Sequence, residues 1–461
     1  MDQLDRRPIS EAIDHQRFTT MQLGVVALAL LTLIIDGLDV QVLSLVAPVI
    51  IDDWGTSRAA FGPALAAALA GMAVGSALGG WLGDRYGRRK TLLVSVALFG
   101  LFTFSVAISA NVSQLAILRF MSGIGFGAAL PSAFALATEW SPARLRTRVL
   151  TILTIGVPSG GMLGAPLTLL LLPSVGWRGC FIVCGIITLV ILLAMIAKLP
   201  ESPAYLASTG REDLARELVS RSLKIAPIDV GSDEKTANSP KQTIFSSANI
   251  RMNTGIWMAF FFTSAMTYSI AAWTPILLTG NGFEIEEAIK SIFYFNLTGI
   301  LSCLLSSFAI NRLGSRLVLS ISLAAAMALI LVTMMVVGSV ETRPTADERS
   351  LVVALLGALG AAAGFAMAAN YSILSLGYPA LSRSSGIGAG VVAGRLGAIA
   401  MVVSGGVLIE ASPEGWLLLA LLAGACGVAL VGALVVDRHI PPLSVSAPLT
   451  GRSGAAAPPT A

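Results

Sequence analysis

Charged residues are scarce in this chain of 461 residues, because Asp, Glu, Lys and Arg together make up only 12% of it. A soluble globular domain carries roughly a quarter of its residues as charged side chains, so a soluble protein of this length is excluded. Hydrophobic residues reach 55%, and the mean hydropathy is +0.81. This composition is typical of a polytopic membrane protein.

Histidine and cysteine are almost absent as well. The two histidines, His15 and His439, lie outside the apolar segments, so neither is placed to carry a proton inside a membrane. The four cysteines all fall within apolar segments, where a free cysteine packs as a small hydrophobe. We therefore expect no disulfide framework and no metal site. These cysteines are Cys180, Cys184, Cys303 and Cys426.

Long apolar runs recur from Met21 to Val436. Each is long enough for a helix across roughly 30 Å of hydrocarbon, whereas a β-barrel would show short alternating segments. The runs predict an all-α membrane protein with twelve transmembrane helices arranged as two six-helix bundles. The predicted spans are 20–50, 59–82, 91–110, 114–139, 147–172, 177–197, 253–279, 287–310, 317–338, 350–376, 386–410 and 416–436.

The distribution of basic residues predicts the orientation. Of the 30 Lys and Arg residues, 23 lie on the side that holds both termini and 5 on the opposite side. By the positive-inside rule both termini are cytoplasmic, and we expect a multi-pass protein of the cytoplasmic (inner) membrane. The membrane topology thus accounts for the excess of basic residues, which does not indicate a nucleic-acid partner. The last two basic residues, Arg119 and Arg395, fall inside spans.

The chain divides near its middle at its longest polar segment. Within that segment "REDLARELVSRSL" predicts a short amphipathic helix with Leu214, Leu218 and Ser222 on one face. The predicted organisation is an N-terminal bundle at 1–197, a cytoplasmic linker at 198–250, a C-terminal bundle at 251–436 and a disordered cytoplasmic tail at 437–461.

The two halves repeat each other. "GDRYGRRK" (83–90) follows the second span and "INRLGSRL" (310–317) follows the eighth, with Asn311 and Ser315 where the first copy has an acidic and a basic residue. A second pair, "SPARLR" and "YPALSR", each gives Pro followed four residues later by Arg. Two matches in the same order indicate an internal parallel repeat. The second copy lacks the charges for a symmetrical latch.

Several motifs resemble the major facilitator superfamily: "GGWLGDRYGRRK" after the second span, "LRFMSGIGFG" in the fourth, "EWSPARLR" after it and "PESPAYL" after the sixth. "DGLD" in the first span and "GVVAGRLGAIA" are similar to the aromatic acid:proton symporters, which import benzoate-type and phenolic carboxylates. The resemblance implies a secondary transporter, not an enzyme, which takes up an aromatic carboxylate with protons by alternating access. It implies no cofactor, and as partners only the substrate, protons and the lipid bilayer, with a monomer as the expected state.

Two carboxylates stand inside the first span. Asp36 and Asp39 are three residues apart, so they share a helix face with Thr32 and Leu43. A charge in hydrocarbon is unfavourable by several kcal/mol unless it faces a polar cavity or a partner, so both are predicted to face the interior. Burial and mutual repulsion favour the protonated form, which makes the pair a candidate proton carrier. The alternative is a structural pair that fixes helix packing.

Two buried arginines need anionic partners. Arg119 in the fourth span stays charged, and a pairing with Asp36 or Asp39 would link its availability to proton occupancy. A permanent structural ion pair is the alternative. Arg395 lies in the other half, where a bidentate arginine suits a carboxylate substrate, and Arg119 is a second candidate ligand.

Aromatic and amide side chains in the second half complete the predicted substrate site, although aromatic residues in membrane helices often serve packing or interfacial anchoring. The aromatic candidates are Tyr268, Trp273, Phe293, Tyr294 and Tyr371, and the amide candidates are Asn296 and Asn370.

The loop after the second span is predicted to form a cytoplasmic gate. Asp84 accepts a hydrogen bond from a helix N-terminus or an arginine, while Gly83 and Gly87 permit a tight turn. By resemblance, Glu139 and Arg146 belong to the same network. The predicted gate comprises Gly83, Asp84, Arg85, Gly87, Arg88, Glu139 and Arg146.

Other functions stay open at this point. "PESP" also resembles sugar porters, but Gln and Asn are scarce in the spans and a neutral sugar leaves two buried arginines unexplained. "GVPSGG" (156–161) is similar to a motif of drug:proton antiporters, and a symporter of another organic anion is a further alternative. Asp36 and Asp39 also resemble half of the site of a membrane prenyltransferase, in which aspartates hold magnesium and pyrophosphate. Such an enzyme needs a second aspartate cluster near the same face, whereas Asp52 and Asp53 lie on the opposite, extracellular side. A sensor without transport is the last alternative.

Overall fold

The computed structural model describes residues 13, 18–223, 249–339, 344–378 and 383–441, which fold into helices joined by short turns. We number the membrane spans from 1 to 12 in chain order. Spans 1 to 4 are Thr20–Trp54, Arg58–Tyr86, Arg88–Ser105 and Val112–Glu139, and spans 7 to 12 are Ile250–Gly280, Ile285–Leu313, Ser315–Gly338, Ala346–Gly377, Arg383–Ala411 and Trp416–Val435. The shorter helices are Val106–Ile108, Ala143–Thr154, Pro203–Ser208 and Glu212–Leu223.

Spans 5 and 6 form one long helical segment, Gly156–Lys198, with a break at Gly176. Gly176 has φ 65° and ψ −177°, a conformation that glycine adopts without a steric penalty and that no helix contains. The break separates span 5 (156–175) from span 6 (177–198). By length and composition, eleven described segments qualify as membrane spans, one of them containing this break. The predicted all-α fold with twelve crossings is confirmed.

Spans 1, 2, 4, 8 and 10 begin with a side-chain cap that satisfies free amides of the first helical turn. The Ser57 hydroxyl accepts a hydrogen bond from Ala60 N, and the Asn111 side chain accepts one from Gln114 N. Thr345 and Glu348 form a reciprocal capping box before span 10. These polar residues lie in the turns, so the helix boundaries could be read from the sequence.

Glycine allows spans 2 and 4 to pack backbone against backbone. A Cβ atom placed on Gly75 would lie 2.9 Å from Ile124 Cα, and one on Gly127 would lie 2.8 Å from Met72 Cα. Such distances are too short for any larger residue. The "SGIGFG" segment therefore holds span 4 in a fixed rotation against span 2, one turn beyond Arg119.

The internal repeat is visible in the backbone. Gly87, between spans 2 and 3, has φ 103° and ψ 145°, and Gly314, between spans 8 and 9, has φ 83° and ψ 152°. Positive φ favours glycine at both turns. Each turn is preceded by an arginine stacked on an aromatic ring of the same helix, Arg85 on Trp81 and Arg312 on Phe308. The two halves therefore use the same turn.

The two halves meet at one end of the bundle. We call the end at Gly87 the basic end, and the end at Gly55, between spans 1 and 2, the distal end. Hydrogen bonds between described residues of the two halves all lie from Gln41 towards the distal end. Their donor and acceptor residues are Gln41–Ala271, Ser44–Ala271, Ser44–Ala272, Ala59–Glu410 and Asn296–Gln41. The described hydrogen bonds that join the halves are therefore confined to the distal part of the bundle.

The helix predicted in the polar segment between the halves is present as Glu212–Leu223, but with a different buried face. Ala215 and Val219 are buried, whereas Leu214 is 53% exposed. Tyr205 and Leu206 of the preceding short helix pack against Ala215. Leu218 is partly buried and packs against this cluster, so the predicted face was right for Leu218 and wrong for Leu214.

Candidate functional site

Arg119 and Asp39 form a buried ion pair between spans 4 and 1. Arg119 Nη1 donates to Asp39 Oδ2, and both side chains are almost fully excluded from solvent, at 1% and 2% exposure. The Arg119 guanidinium lies 6.0 Å from the centroid of the Phe181 ring. The Thr103 hydroxyl is also buried and lies beside the Asp39 carboxylate, where it can donate to it. Arg119 and Asp39 are thus each other's charged partner, with one neutral hydroxyl beside them.

Asp36 lies one helical turn from Asp39 and is equally buried, with 2% exposure. Its Oδ2 atom has no hydrogen-bond partner among the described residues. Arg395 and Arg119 are close enough to act on its charge, yet within the described chain neither forms an ion pair with it. Asp36 is therefore a buried carboxyl group without a fixed partner, which is the arrangement expected of a site that exchanges protons.

Arg395 on span 11 faces the same region from the second half. Its Nη1 atom donates to the Tyr268 hydroxyl on span 7 at 3.1 Å, and its guanidinium lies 5.6 Å from the Tyr268 ring centroid. Tyr371 on span 10 is a further neighbour, with 47% of its surface exposed. No carboxylate of the described chain forms an ion pair with Arg395. The hydroxyl and the ring face of Tyr268 therefore contact a guanidinium that no carboxylate of the described chain pairs with.

The position of Asp36 is fixed by the glycine beside it. A Cβ atom on Gly37 would lie 2.7 Å from the Val157 carbonyl carbon on span 5, and one on Gly160 would lie 2.6 Å from Leu38 N. Spans 1 and 5 therefore interlock through their backbones. This contact sets the rotation of span 1, and with it the direction in which both aspartates project. The glycines of "GVPSGG" thus have a packing role next to the site.

The remaining predicted substrate residues are placed differently. Trp273 is 1% exposed and its indole N–H donates to Val402 O at 3.0 Å, so it packs between spans 7 and 11. Asn370 is fully buried and its Nδ2 donates to Thr263 Oγ1 at 3.2 Å. Asn296 is partly exposed and donates to Gln41 Oε1 across the halves at 3.4 Å. Asn296 and Trp273 both lie at the boundary between the halves, since a Cβ atom on Gly62 of span 2 would lie 3.6 Å from Trp273 Cζ2.

The predicted gate residues form a network at the basic end. Asp84 Oδ1 and Arg88 Nη2 are 3.4 Å apart, and Arg88 Nε lies 3.0 Å from Glu139 Oε1 at the end of span 4. Glu139 also accepts from the Ser202 hydroxyl. The Asp84 side chain is 77% exposed. The described members of this network belong to the first half and the segment that follows it, so Asp84 does not bridge the two halves here.

Arg89 joins the same loop to the end of span 6. Its backbone N–H donates to Glu201 Oε1 at 2.9 Å, and its guanidinium donates to the carbonyls of Leu199 and Ile196 at 2.6 and 2.8 Å. Arg316 in the second half donates likewise to Leu434 O near the end of span 12. Arginine at these positions caps a helix C-terminus in both repeats.

One gate expectation needs correction. Gly83 does not shape the turn, because it lies inside the helix of span 2, where a Cβ atom would lie 3.0 Å from Ser132 Oγ. Its small size serves packing against span 4, and Gly87 makes the turn. Among the other predicted gate residues, Arg146 donates through Nε to Ser141 O at 3.1 Å in the turn after span 4. Arg85 stacks on Trp81 of its own helix.

Two polar residues near the site did not emerge from the sequence. Gln41, two positions beyond Asp39, donates to Ala271 O and accepts from Asn296, so it connects the halves. Glu201 in "PESP" accepts from Arg89 N and Ser202 N. The amide in the first span and the acid in "PESP" are both polar residues that the sequence alone could have marked as candidates. Their partners, however, are distant in the chain.

Comparison with known proteins identifies the fold and the family. A model described as Major Facilitator Superfamily matches residues 29–401. The chain belongs to the Major Facilitator Superfamily. A solved structure of a D-xylose-proton symporter aligns with a TM-score of 0.69 at 17% identity, covering 91% of this chain and 98% of that one. This likeness confirms the twelve-span fold.

Relatives within the superfamily carry names that refer to aromatic acids. The chain is 30% identical to a 4-hydroxybenzoate transporter of Pseudomonas aeruginosa over 408 residues, 86% of this chain and 88% of the relative. It is 30% identical to a gallate transporter of Pseudomonas putida over 442 residues, 94% of this chain and 95% of the relative. A benzoate transport protein of Acinetobacter baylyi is 26% identical over 448 residues, 94% of this chain and 93% of the relative. The resemblance stated from the motifs is confirmed.

Proposed function

We propose that this member of the superfamily imports an aromatic carboxylate together with protons, by alternating access. The observation that carries the proposal is the state of Arg395, a permanent cation beside the space between the halves with no carboxylate of the described chain paired to it. A cation placed in this way is stabilised by an anionic ligand. A guanidinium can hold both oxygens of a carboxylate at once. The named activities of the relatives support the same substrate class.

The aromatic side chains around Arg395 suit a ring. Tyr268 presents its face and hydroxyl to the guanidinium, and Tyr371 is half exposed beside it. Phe260 holds Tyr371 edge to face at a centroid distance of 5.1 Å. A benzoate-type substrate with its carboxylate on Arg395 therefore meets aromatic surface, which prefers offset or edge-to-face contact.

The net charge of the site couples binding of the carboxylate to binding of a proton. Arg119 and Asp39 neutralise each other, so Asp36 and Arg395 decide the net charge of the site. An empty site with ionised Asp36 is neutral, and a site with protonated Asp36 and a bound carboxylate is neutral too. A carboxylate bound without a proton would leave one net negative charge in a region of low dielectric. Conformational change is therefore favoured for the empty site and for the site holding both proton and substrate.

A neutral sugar fits this balance poorly, because proton binding to Asp36 would leave Arg395 uncompensated. The likeness to the xylose symporter is one of fold, at 17% identity. We therefore place the chain with the organic-anion symporters. Of the residues predicted for the site, Asp36 becomes the proton carrier, Arg395 the substrate ligand, and Arg119 the fixed partner of Asp39.

For the moving parts, we propose that 1–197 and 251–436 are the two bodies, joined by the linker 198–250. The protein lies in the cytoplasmic membrane as a monomer, with the basic end and both termini on the cytoplasmic side, because the basic loops collect at that end. The present arrangement is then open to the cytoplasm. The Asp84 loop closes that end in the alternate state.

The test is uptake into vesicles that contain the purified protein. With an acidic outside, radiolabelled 4-hydroxybenzoate, benzoate, protocatechuate and gentisate are compared with xylose. We expect gradient-driven accumulation of at least one aromatic acid, collapse of that accumulation by a protonophore, and no accumulation of xylose. Protein-free vesicles and vesicles with the Arg395→Gln variant control for passive permeation of protonated acids. Accumulation of xylose, or of none of these compounds in a folded protein, would refute the proposal.

A further inference from the structure

Spans 2 and 11 contact each other at the distal end, and this contact includes a carboxylate outside the proposed substrate and proton sites. Glu410, near the end of span 11, accepts a hydrogen bond through Oε2 from Ala59 N at 3.0 Å. Ala59 is the second residue of span 2, so this bond crosses from the second half to the first. It is the one hydrogen bond between described residues of the halves that uses a charged acceptor.

The bond satisfies a group that span 2 leaves free. The amides of a first helical turn have no acceptor inside their own helix. Ser57 accepts from Ala60 N but leaves Ala59 N for an outside partner. A carboxylate at a helix N-terminus is also favoured by the helix dipole. Glu410 therefore acts as the outside cap of span 2, supplied by the opposite half of the molecule.

The backbones around this cap are in close contact. A Cβ atom on Gly62 would lie 2.6 Å from Val403 O, and one on Gly406 would lie 2.9 Å from Ala59 Cα. Spans 2 and 11 can therefore come this close only because both positions are glycine. They make this contact only when the distal end is closed. When the distal end opens, Ala59 and Glu410 must separate.

We propose that Glu410 is the releasable latch of the distal end: its carboxylate holds the end closed by capping span 2, and each transport cycle breaks and remakes this bond. The inference rests on the alternating-access part of the proposed function and is independent of the substrate. Asp84 lies at the opposite end of span 2, where its side chain is 77% exposed and pairs with Arg88 of its own loop. The two carboxylates thus alternate, one engaged at the closed end while the other is exposed at the open end.

The test measures opening of the distal end without any substrate. Ala165 on span 5 is fully buried, in a cluster with Leu45 of span 1 and with Ile289 and Ile292 of span 8, so this cluster also joins the halves. In a background whose four native cysteines are replaced by alanine, Ala165→Cys places a thiol that reacts with a maleimide only when the halves separate there. The measured quantity is the rate of labelling of folded, detergent-purified protein.

Glu410→Ala should raise the labelling rate about three- to tenfold, because loss of one latch shifts the population towards the open distal end. Glu410→Gln retains a neutral acceptor and should lie between wild type and Glu410→Ala. The matched control is Glu414→Ala, which removes an acid four residues away whose side chain forms no hydrogen bond or ion pair with the described residues of span 2, and it should leave the rate unchanged. Gly406→Leu and Gly62→Leu exclude the closed contact and should give the fastest labelling.

Equal labelling of Glu410→Ala and wild type, with fast labelling of either glycine variant, would overturn the latch while leaving alternating access intact. An equal increase in Glu414→Ala would overturn it as well, because the effect would then be one of surface charge. Slow labelling of both glycine variants would overturn the opening of this end altogether. Substrate specificity plays no part in these outcomes, so failure here is distinct from failure of aromatic-acid uptake.

Discussion

Asp36 and Arg395 face each other across the boundary between the two halves without forming an ion pair. Asp36 has no hydrogen-bond partner for its buried Oδ2, and Arg395 donates only to Tyr268 among the described residues. A direct ion pair would occupy both groups and leave neither for transport. Their separation keeps the carboxyl group free for a proton and the guanidinium free for an anion.

Asp36→Asn should abolish accumulation of substrate against its gradient. The asparagine mimics a permanently protonated carboxyl group, so the charge balance for substrate binding is kept while proton release is lost. Exchange of labelled for unlabelled substrate across the vesicle membrane should continue. Undiminished accumulation by this variant under an imposed pH gradient would contradict the assignment of Asp36.

Asp39→Asn should also lose transport, but for a different reason. It leaves Arg119 buried without its anionic partner, a loss of about 3–5 kcal/mol for a broken buried pair. We expect a lowered melting temperature in detergent, which Asp36→Asn should not show. Replacing both partners together, by Asp39→Leu with Arg119→Met, should recover stability without recovering transport. Equal melting temperatures for the two single variants would show that Asp39 has no structural role.

Arg395→Lys should fold normally and bind aromatic carboxylates about tenfold more weakly or worse, because lysine keeps the charge but lacks the planar fork. Arg395→Gln should abolish binding. Calorimetry with benzoate and with benzamide, its neutral analogue, separates charge recognition from ring recognition. A wild-type protein without preference for the acid, or an Arg395→Lys variant of wild-type affinity, would make Arg395 structural.

Asp84→Asn should slow transport while substrate affinity stays within about threefold of wild type, since gating residues act on conformational exchange. Asp84 is 77% exposed and, among the described residues, forms an ion pair with Arg88 of its own loop, so its removal should leave the binding site unchanged. Initial uptake rates and calorimetric affinities measured on the same preparation test this. Loss of binding in the folded variant would assign Asp84 another role.

Gly37→Ala should destabilise the protein by about 1–3 kcal/mol, as expected for overpacking, because its methyl group meets the Val157 backbone. Gly24→Ala in the same helix is the control, since no atom lies within 4 Å of the added methyl group. Thermal unfolding of the two variants gives the comparison. Similar stability would mean that spans 1 and 5 shift apart easily.

The sequence was sufficient for the spans, the repeat and the grouping of charges, because apolar length, glycine turns and buried charge are local signals. It left open whether Asp36 or Asp39 holds Arg119, since both lie on one face and the choice depends on helix rotation. That rotation is set by Gly37 and Gly160 against backbones of another span. The roles of Gln41 and Glu410 were equally hidden, because their partners lie more than two hundred residues away.

Spans 1 and 7 meet in a seam of hydrogen bonds between side chains and backbone carbonyls, which the two halves can break at small cost. Gln41 and Ser44 donate to the backbone carbonyls of Ala271 and Ala272. Water can replace both donors when the halves part, so separation exchanges hydrogen bonds with little net loss. The hydrogen bonds of this seam therefore add little to the free-energy difference between the closed and open forms. Opening of the distal end is opposed instead by the apolar cluster beside the seam, in which Leu45 and Ala165 pack against Ile289 and Ile292.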